Sequence, residues 1–217
     1  AAALAAAAAL RSGAGLVSAL VPRSVAGTVA SAAPEAMVHP GTDTDAGSLA
    51  AASLDVWRRR AGEFTAVAAG PGLTRHPESA ALVRALLREC RVPLLLDADA
   101  LNVLEGCAAD IARASCPVTI TPHPGEMGRL LGCGAADVQS DRLAAARRAA
   151  GLTGAVVVLK GAGTLVTRAG DTMHVNMLGN PGMATGGSGD VLSGLLPGLL
   201  AQGMAPMDAA RAAVYLH

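Results

Sequence analysis

Runs of consecutive apolar residues alternate along the chain with segments whose apolar positions recur every three or four residues. The runs do not alternate with polar residues, which is typical of strands buried on both faces of a sheet. They lie at Leu16 to Leu20, Phe64 to Ala68, Pro93 to Leu96, Pro117 to Ile120 and Ala155 to Leu159. Helices between such strands predict an α/β fold, with a mostly parallel central sheet covered by helices on both faces.

After Lys160 the pattern changes. The segments Gly163 to Arg168 and Thr172 to Asn176 predict two strands of a late β-hairpin joined by a short turn. In parallel sheets ligands bind outside the carboxyl ends of the strands, so the residues that follow each strand are the candidates for chemistry.

Composition narrows the function classes. Among 217 residues, 17 basic and 17 acidic side chains cancel, and 52% of the residues are hydrophobic. A neutral surface excludes binding of nucleic acid through general electrostatic attraction, and the apolar content excludes disorder. We expect one domain over residues 1–217.

The apolar segments do not predict a membrane protein. The segment Val191 to Met207 contains three glycines and Pro197, which is too interrupted for a span, and Ala1 to Leu10 is interpreted as part of an amphipathic helix. The four cysteines show no metal-ligand spacing and predict reduced, buried thiols in a cytoplasmic protein.

A glycine-rich loop, Gly179 to Gly189, precedes a helical pattern that begins near Asp190. Free backbone N–H groups and the positive end of the helix dipole favour an anion there, and the glycines permit close approach of a phosphate. The alternative is that Ser188 or Asp190 only caps the helix. A carboxylate at Asp190 would also be placed to accept a proton from a hydroxyl that attacks a phosphoryl group.

Lys160 is the only lysine and follows the strand that ends at Leu159. An ammonium at this place indicates a nucleotide phosphate, and a solvated surface lysine is the alternative.

His123 and Glu126 follow another strand. A histidine that hydrogen-bonds a substrate is favoured there over a pair of metal ligands, because no third ligand is apparent.

Two further strand ends carry candidate residues. Asp97 is a candidate for a position near phosphate-bound magnesium, whereas Asp99 is equally well interpreted as a helix N-cap. Gly70 to Leu73 would let backbone approach a ligand, with an ordinary turn as the alternative.

In chain order, the motifs GPGL, DADALN, TPHPGE, LKGAGT and NPGMATGGSGDVLSG resemble the ADP- or ATP-dependent NAD(P)H-hydrate dehydratases of the ribokinase-like superfamily. The resemblance covers nearly the whole chain. It implies that ADP or ATP, with Mg²⁺, phosphorylates the hydroxyl of NADH hydrate or NADPH hydrate, and that elimination of phosphate restores the dinucleotide.

The resemblance also implies roles for individual residues. Asp190 would be catalytic and would polarise the hydroxyl of the hydrate. The implied nucleotide contacts are Lys160, Gly161, Ala162, Gly163, Thr164 and Gly189, and the implied hydrate contacts are Ala1, Gly72, His123 and Asp190. The bacterial form of the glycine loop favours ADP as the donor.

Two departures from the family accompany the resemblance. Relatives usually begin with a strand and a glycine-containing loop before the alanine-rich helix, and they continue beyond His217. We therefore expect a domain truncated at both ends, with reduced activity or none. The resemblance further implies homo-oligomers and, in many bacterial relatives, a fused epimerase.

Two other functions stay open at this point. One is a vitamin-precursor kinase of the same superfamily, acting on a thiazole or pyrimidine, against which TPHPGE argues. The other is an inactive nucleotide-binding domain, against which the presence of both Lys160 and Asp190 argues.

Overall fold

The fold contains eight strands, described here from a computed structural model that covers residues 1–217. The strands are β1 (Ser18–Pro22), β2 (Met37–Gly41), β3 (Val67–Ala69), β4 (Leu94–Leu96), β5 (Val118–Ile120), β6 (Val156–Leu159), β7 (Thr164–Thr167) and β8 (His174–Asn176).

Eleven α-helices surround these strands. They are α1 (Ala2–Arg11), α2 (Arg23–Ala32), α3 (Leu54–Arg58), α4 (Pro77–Glu89), α5 (Asp99–Asn102), α6 (Ala108–Ala112), α7 (Pro124–Leu131), α8 (Ala135–Ser140), α9 (Arg142–Thr153), α10 (Ser188–Ala201) and α11 (Pro206–Leu216).

The main sheet has six strands whose spatial order, β3-β4-β5-β6-β7-β8, is also their order along the chain. Strands β3 to β6 pair in parallel, and β7 and β8 continue the sheet in antiparallel pairs. The predicted mostly parallel sheet and the late hairpin are therefore confirmed.

Helices cover both faces of this sheet, and successive strand residues divide between two apolar clusters. Leu94 and Leu96 belong to a core with α4, α7 and α9, whereas Leu95 belongs to a second core with α10 and α11. Both faces of β4, β5 and β6 are buried, which explains why β4 and β6 are continuously apolar and why Thr119, the one polar residue of β5, is buried as well.

The first predicted strand is part of a different sheet. It begins two residues later than expected, as β1, and pairs in parallel with β2 to form a separate two-stranded sheet. The apolar pattern did not predict β2, because His39 and Pro40 interrupt that pattern on a half-exposed strand.

A cavity of about 540 Å³ lies between β1 and β3 and is also lined by α1 and α10.

Helix α1 packs directly on α10, as expected for an amphipathic helix at the start of the chain. Gly194 makes this close approach possible, since a Cβ atom there would lie 1.9 Å from the carbonyl oxygen of Ala5. The contact fixes the orientation of α10, whose first turn carries Asp190.

Pro197 lies inside helix α10. Helix α10 continues through Pro197 to Ala201, although the proline cannot donate a backbone hydrogen bond to the carbonyl of Ser193.

None of the helices combines the length and the apolarity that a membrane crossing requires.

All four cysteines are free, as predicted, but only Cys90 is buried. The expectation of four buried thiols is therefore wrong for Cys107, Cys116 and Cys133, because these follow helix ends or precede a strand at the edge of the core. A hydrogen bond with the Cys116 thiol lowers the pKa of Cys90 to about 7, whereas the same contact raises the pKa of Cys116.

We predict that Gly194→Ala lowers the free energy of unfolding by about 2 kcal/mol, because the new methyl group must displace the backbone of α1. Gly151→Ala in α9 is the matched control, since nothing lies within 4 Å of its Cβ position. The control should raise stability by roughly 0.5 kcal/mol. Urea denaturation of both variants tests this, and equal midpoints would contradict the packing argument.

Candidate active site

The carboxyl ends of four parallel strands bring the sequence motifs together. Gly70 follows β3, Asp97 follows β4, His123 lies shortly after β5, and Lys160 follows β6. These strands are neighbours in the sheet, so their carboxyl ends bring the four residues to one edge of it. That ligands bind at this edge stays a prediction.

Asp97 is the most enclosed of these residues, with only 2% of it exposed. Lys160 Nζ donates a hydrogen bond of 2.7 Å to Asp97 Oδ1, and Ser193 Oγ donates one of 2.5 Å to Asp97 Oδ2. One carboxylate thus connects the end of β4 to the end of β6 and to the middle of α10.

Lys160 lies between two acidic groups. Besides its contact with Asp97, its Nζ is 3.7 Å from Glu126 Oε2, and the Glu126 side chain is only 6% exposed. The alternative of a solvated surface lysine is therefore wrong. A second buried carboxylate leaves this cluster with an excess of negative charge, while the ammonium stays 21% exposed on the side of the glycine-rich loop.

His123 and Glu126 form the first turn of α7 as a capping box. His123 Nδ1 accepts hydrogen bonds from the N–H groups of Gly125 and Glu126, and Glu126 Oε2 accepts one of 2.8 Å from the His123 N–H. Because Nδ1 is an acceptor, the imidazole proton lies on Nε2, which is 3.3 Å from Glu126 Oε1. The imidazole is half exposed, so it can also contact a ligand.

The residues present do not fit a metal ion held by the protein alone. No three histidine, cysteine, aspartate or glutamate side chains come together as a cage, and both oxygens of Asp97 are engaged by Lys160 and Ser193. Magnesium commonly binds through substrate phosphates with few protein ligands, and that mode requires no such cage. A position of Asp97 near magnesium remains a prediction.

The glycine-rich loop leads into α10 at Gly187, which has a φ of +90° and provides no side-chain cap. The first-turn N–H groups of Gly189 and Asp190 donate to no backbone acceptor. The interpretation of Ser188 or Asp190 as a simple N-cap is therefore wrong, and the free N–H groups can receive an anion. A Cβ atom at Gly189 would lie 3.5 Å from Lys160 Nζ, so the ammonium faces this turn.

Asp190 lies beside Ala1, and Ala1 lies beside Gly72; the resemblance assigns all three residues to the hydrate. The backbone nitrogen of Ala1 is 3.7 Å from Asp190 Oδ2. A Cβ atom at Gly72 would lie 3.8 Å from the Cβ of Ala1. Ala1, Gly72 and Asp190 thus form one group, whereas His123 contacts Glu126, which neighbours Lys160.

The loop that carries Gly72 is held by residues that follow β4. Gly70 approaches Asp97 so closely that a Cβ atom would lie 1.7 Å from the Asp97 carbonyl oxygen. Asp99 Oδ2 accepts a hydrogen bond of 2.9 Å from the Thr74 N–H. The residue that precedes α5 is Ala98, so Asp99 fixes the glycine loop and is not a helix N-cap.

The residues assigned to the nucleotide, Gly161 to Thr164, form the turn between β6 and β7. Gly161 and Gly163 have φ values of +140° and +65°, and Thr164 Oγ1 donates to the Gly161 carbonyl. Arg142 at the start of α9 donates to carbonyl groups of this turn. Sequence analysis missed Arg142, as well as Ser193, because nothing in the local pattern distinguishes them from other arginines and serines.

Comparison with known proteins finds similar proteins over the whole chain. The family model of the NAD(P)H-hydrate dehydratases matches residues 1–217. A bifunctional NAD(P)H-hydrate repair enzyme of Moorella thermoacetica is 47% identical over 214 residues, which are 99% of this chain and 40% of the relative. An ADP-dependent (S)-NAD(P)H-hydrate dehydratase of Neisseria meningitidis is 50% identical over 127 residues, which are 58% of this chain and 43% of the relative.

A solved structure is similar over the whole chain. The Bacillus subtilis ADP/ATP-dependent NAD(P)H-hydrate dehydratase, co-crystallized with ATP/Mg²⁺, has a TM-score of 0.80 and 31% identity, and covers 100% of this chain and 73% of its own. The chain spans about two fifths of the length of the curated relatives it matches. From the family match over every residue, together with the fold, we conclude that the chain belongs to the NAD(P)H-hydrate dehydratase family.

Proposed function

We propose that the protein is an ADP-dependent (S)-NAD(P)H-hydrate dehydratase, a hydro-lyase that repairs hydrated nicotinamide dinucleotides. The observation that carries this proposal is the placement of Asp190. Its carboxylate lies 3.7 Å from the backbone nitrogen of Ala1, which neighbours Gly72, and its own helical turn carries N–H groups with no backbone acceptor. A hydroxyl and a phosphate can therefore meet next to one carboxylate.

The nucleotide would bind between the turn Gly161–Thr164 and the first turn of α10. Lys160 Nζ is directed there by Asp97, and Gly189 lies opposite it without a side chain. The ammonium and the amide donors of α10 would stabilise negative charge on the transferring phosphoryl oxygens.

Asp190 would act as the general base in the first step. The hydroxyl oxygen of the hydrate attacks the terminal phosphorus of ADP, the bond from that phosphorus to the AMP oxygen breaks, and Asp190 receives the hydroxyl proton. In the second step the C–O bond breaks as phosphate leaves, and a proton is lost from the adjacent carbon. The carbon–carbon double bond of NADH or NADPH is thereby restored.

Magnesium, if it enters with the nucleotide, would be held by phosphate oxygens, where it would neutralise charge. The protein groups described above perform their roles through their own contacts. Asp97 orients Lys160, Glu126 and His123 shape the first turn of α7, and Gly72 leaves room for the substrate beside Ala1.

Assembly and cellular context also belong to the proposal. The relatives are named bifunctional repair enzymes, which supports a second repair activity beside the dehydratase. We propose that an epimerase, fused or separate, supplies it. We propose that the protein forms homo-oligomers, without nucleic acid or membrane partners, and acts in the cytoplasm, where its free thiols stay reduced.

The proposal predicts that near-ultraviolet absorbance of reduced nicotinamide rises when the protein is mixed with NADH hydrate, magnesium and ADP. Parallel mixtures with ATP identify the donor, and inorganic phosphate is measured in the same samples. A vitamin-precursor kinase would release no phosphate, and an inactive nucleotide-binding domain would bind ADP without either signal. Either result would contradict the proposed reaction.

We predict that Asp190→Asn lowers kcat by about two orders of magnitude or more, because the amide cannot accept the hydroxyl proton. Binding of ADP, measured by calorimetry, should persist, since the amide donors of α10 remain. Asp208→Asn, which changes a largely exposed carboxylate on α11, is the control and should retain parental turnover. Parental turnover in the Asp190 variant would show that the base is another group.

We predict that Lys160→Ala raises the dissociation constant for ADP by about tenfold or more, because one charge-assisted hydrogen bond is lost and two buried carboxylates are left unopposed. Arg113→Ala, which removes an exposed charge elsewhere, should leave this constant unchanged. Equal ADP affinity in the Lys160 and Arg113 variants would remove Lys160 from the nucleotide site.

A further inference from the structure

Arg142 is a half-buried guanidinium, and no carboxylate lies within ion-pair distance of it. Burial lowers its pKa from the usual arginine value. Its hydrogen-bond partners are instead the backbone carbonyl groups of the turn between β6 and β7, together with the side chain of Gln139. The partly buried guanidinium has no carboxylate partner, so its charge is stabilised only if these carbonyl oxygens are held in place around it.

Three carbonyl oxygens converge on this guanidinium. Arg142 Nη2 donates to Leu159 at 3.2 Å and to Gly163 at 3.4 Å, and Arg142 Nη1 donates to Lys160 at 3.3 Å. These carbonyls come from both ends of the turn. One planar group therefore fixes the spacing between Leu159, the last residue of β6, and Gly163, the residue before β7.

The direction of the carbonyls determines the direction of the amide donors. In a trans peptide the N–H group points opposite to the C=O group of the same unit. The Lys160 carbonyl points to Arg142, so the Gly161 N–H points away from it, and this N–H donates to no backbone acceptor in the protein. Arg142 thus turns the amide edge of the loop toward the side opposite α9.

Gly161 confirms how closely the two groups approach. A Cβ atom at this position would lie 2.8 Å from Arg142 Nη1, and the φ of +140° is one that side chains rarely adopt. The guanidinium therefore fits against Gly161 only because this residue has no side chain. We expect the loop to change conformation if Gly161 gains a side chain or if the guanidinium is removed.

We propose that Arg142 is a positioning residue of the nucleotide site, which holds the Gly161–Thr164 turn so that its amide groups face the adenine nucleotide. This inference rests on the proposed function only for the identity of the ligand. Arg142 itself does not touch the reacting atoms; it acts through the backbone of the turn.

The test compares Arg142→Lys, Arg142→Met and the control Arg147→Ala, an exposed arginine one turn and a half further along α9. The dissociation constant for ADP should rise by about tenfold in the Met variant, which corresponds to roughly 1.4 kcal/mol. The dissociation constant of the Lys variant should lie between those of the parent and the Met variant, because an ammonium cannot span three carbonyls. KM for NADH hydrate should stay within twofold of the parent, and the control should match the parent throughout.

Amide hydrogen exchange of residues 160–164, measured without nucleotide, separates this inference from the proposed function. Faster exchange in the Met variant, with parental exchange elsewhere in the sheet, would support the positioning role even if the parent fails to dehydrate NADH hydrate. Unchanged exchange together with an unchanged ADP constant would overturn it. A parallel loss of ADP affinity, hydrate affinity and thermal stability would also overturn it, because that result indicates a general structural role.

Discussion

Asp97 is buried at the end of β4, and its two oxygens are held by two different elements. Lys160 extends from the end of β6, and Ser193 extends from α10. A charged group in such a place is stable only while both partners remain, because removal of one leaves a charge without compensation. The relative position of the main sheet and α10 therefore depends on this carboxylate, and so does the direction of the ammonium.

The other constraint on α10 is steric. Gly194 permits the backbone of α1 to lie against the helix, one residue after Ser193 reaches Asp97. One turn of α10 thus carries a polar contact to the sheet and a close contact to α1. These contacts orient the first turn, in which Asp190 lies next to Ala1.

Much of this arrangement could be predicted from the sequence. The buried strands β4, β5 and β6 were predictable because both of their faces are covered, which leaves them apolar except for the buried Thr119 of β5. Lys160 and Asp190 were predictable because each follows a recognisable strand or glycine loop. The separate β1–β2 sheet was not predictable, because His39 and Pro40 interrupt the apolar residues of β2.

Contacts between residues that lie far apart along the chain could not be predicted from the sequence either. Ser193 and Asp97 are 96 residues apart, and no local pattern relates a serine within a helix to an aspartate after a strand. Asp99 illustrates the same limit. Its place at the start of a short helix suggests an N-cap, yet the fold brings the Thr74 N–H to its carboxylate, and that tertiary contact decides its role.

The single lysine has a consequence for how the protein can be observed. Every other basic side chain is an arginine, so the chain has one ε-amine, and this amine is partly exposed next to Asp97. Reductive methylation with carbon-13 formaldehyde would label this one side chain, as dimethyl-lysine, at the centre of the site. The chemical shift of that label would report the arrival of a phosphate, without any substitution in the sequence.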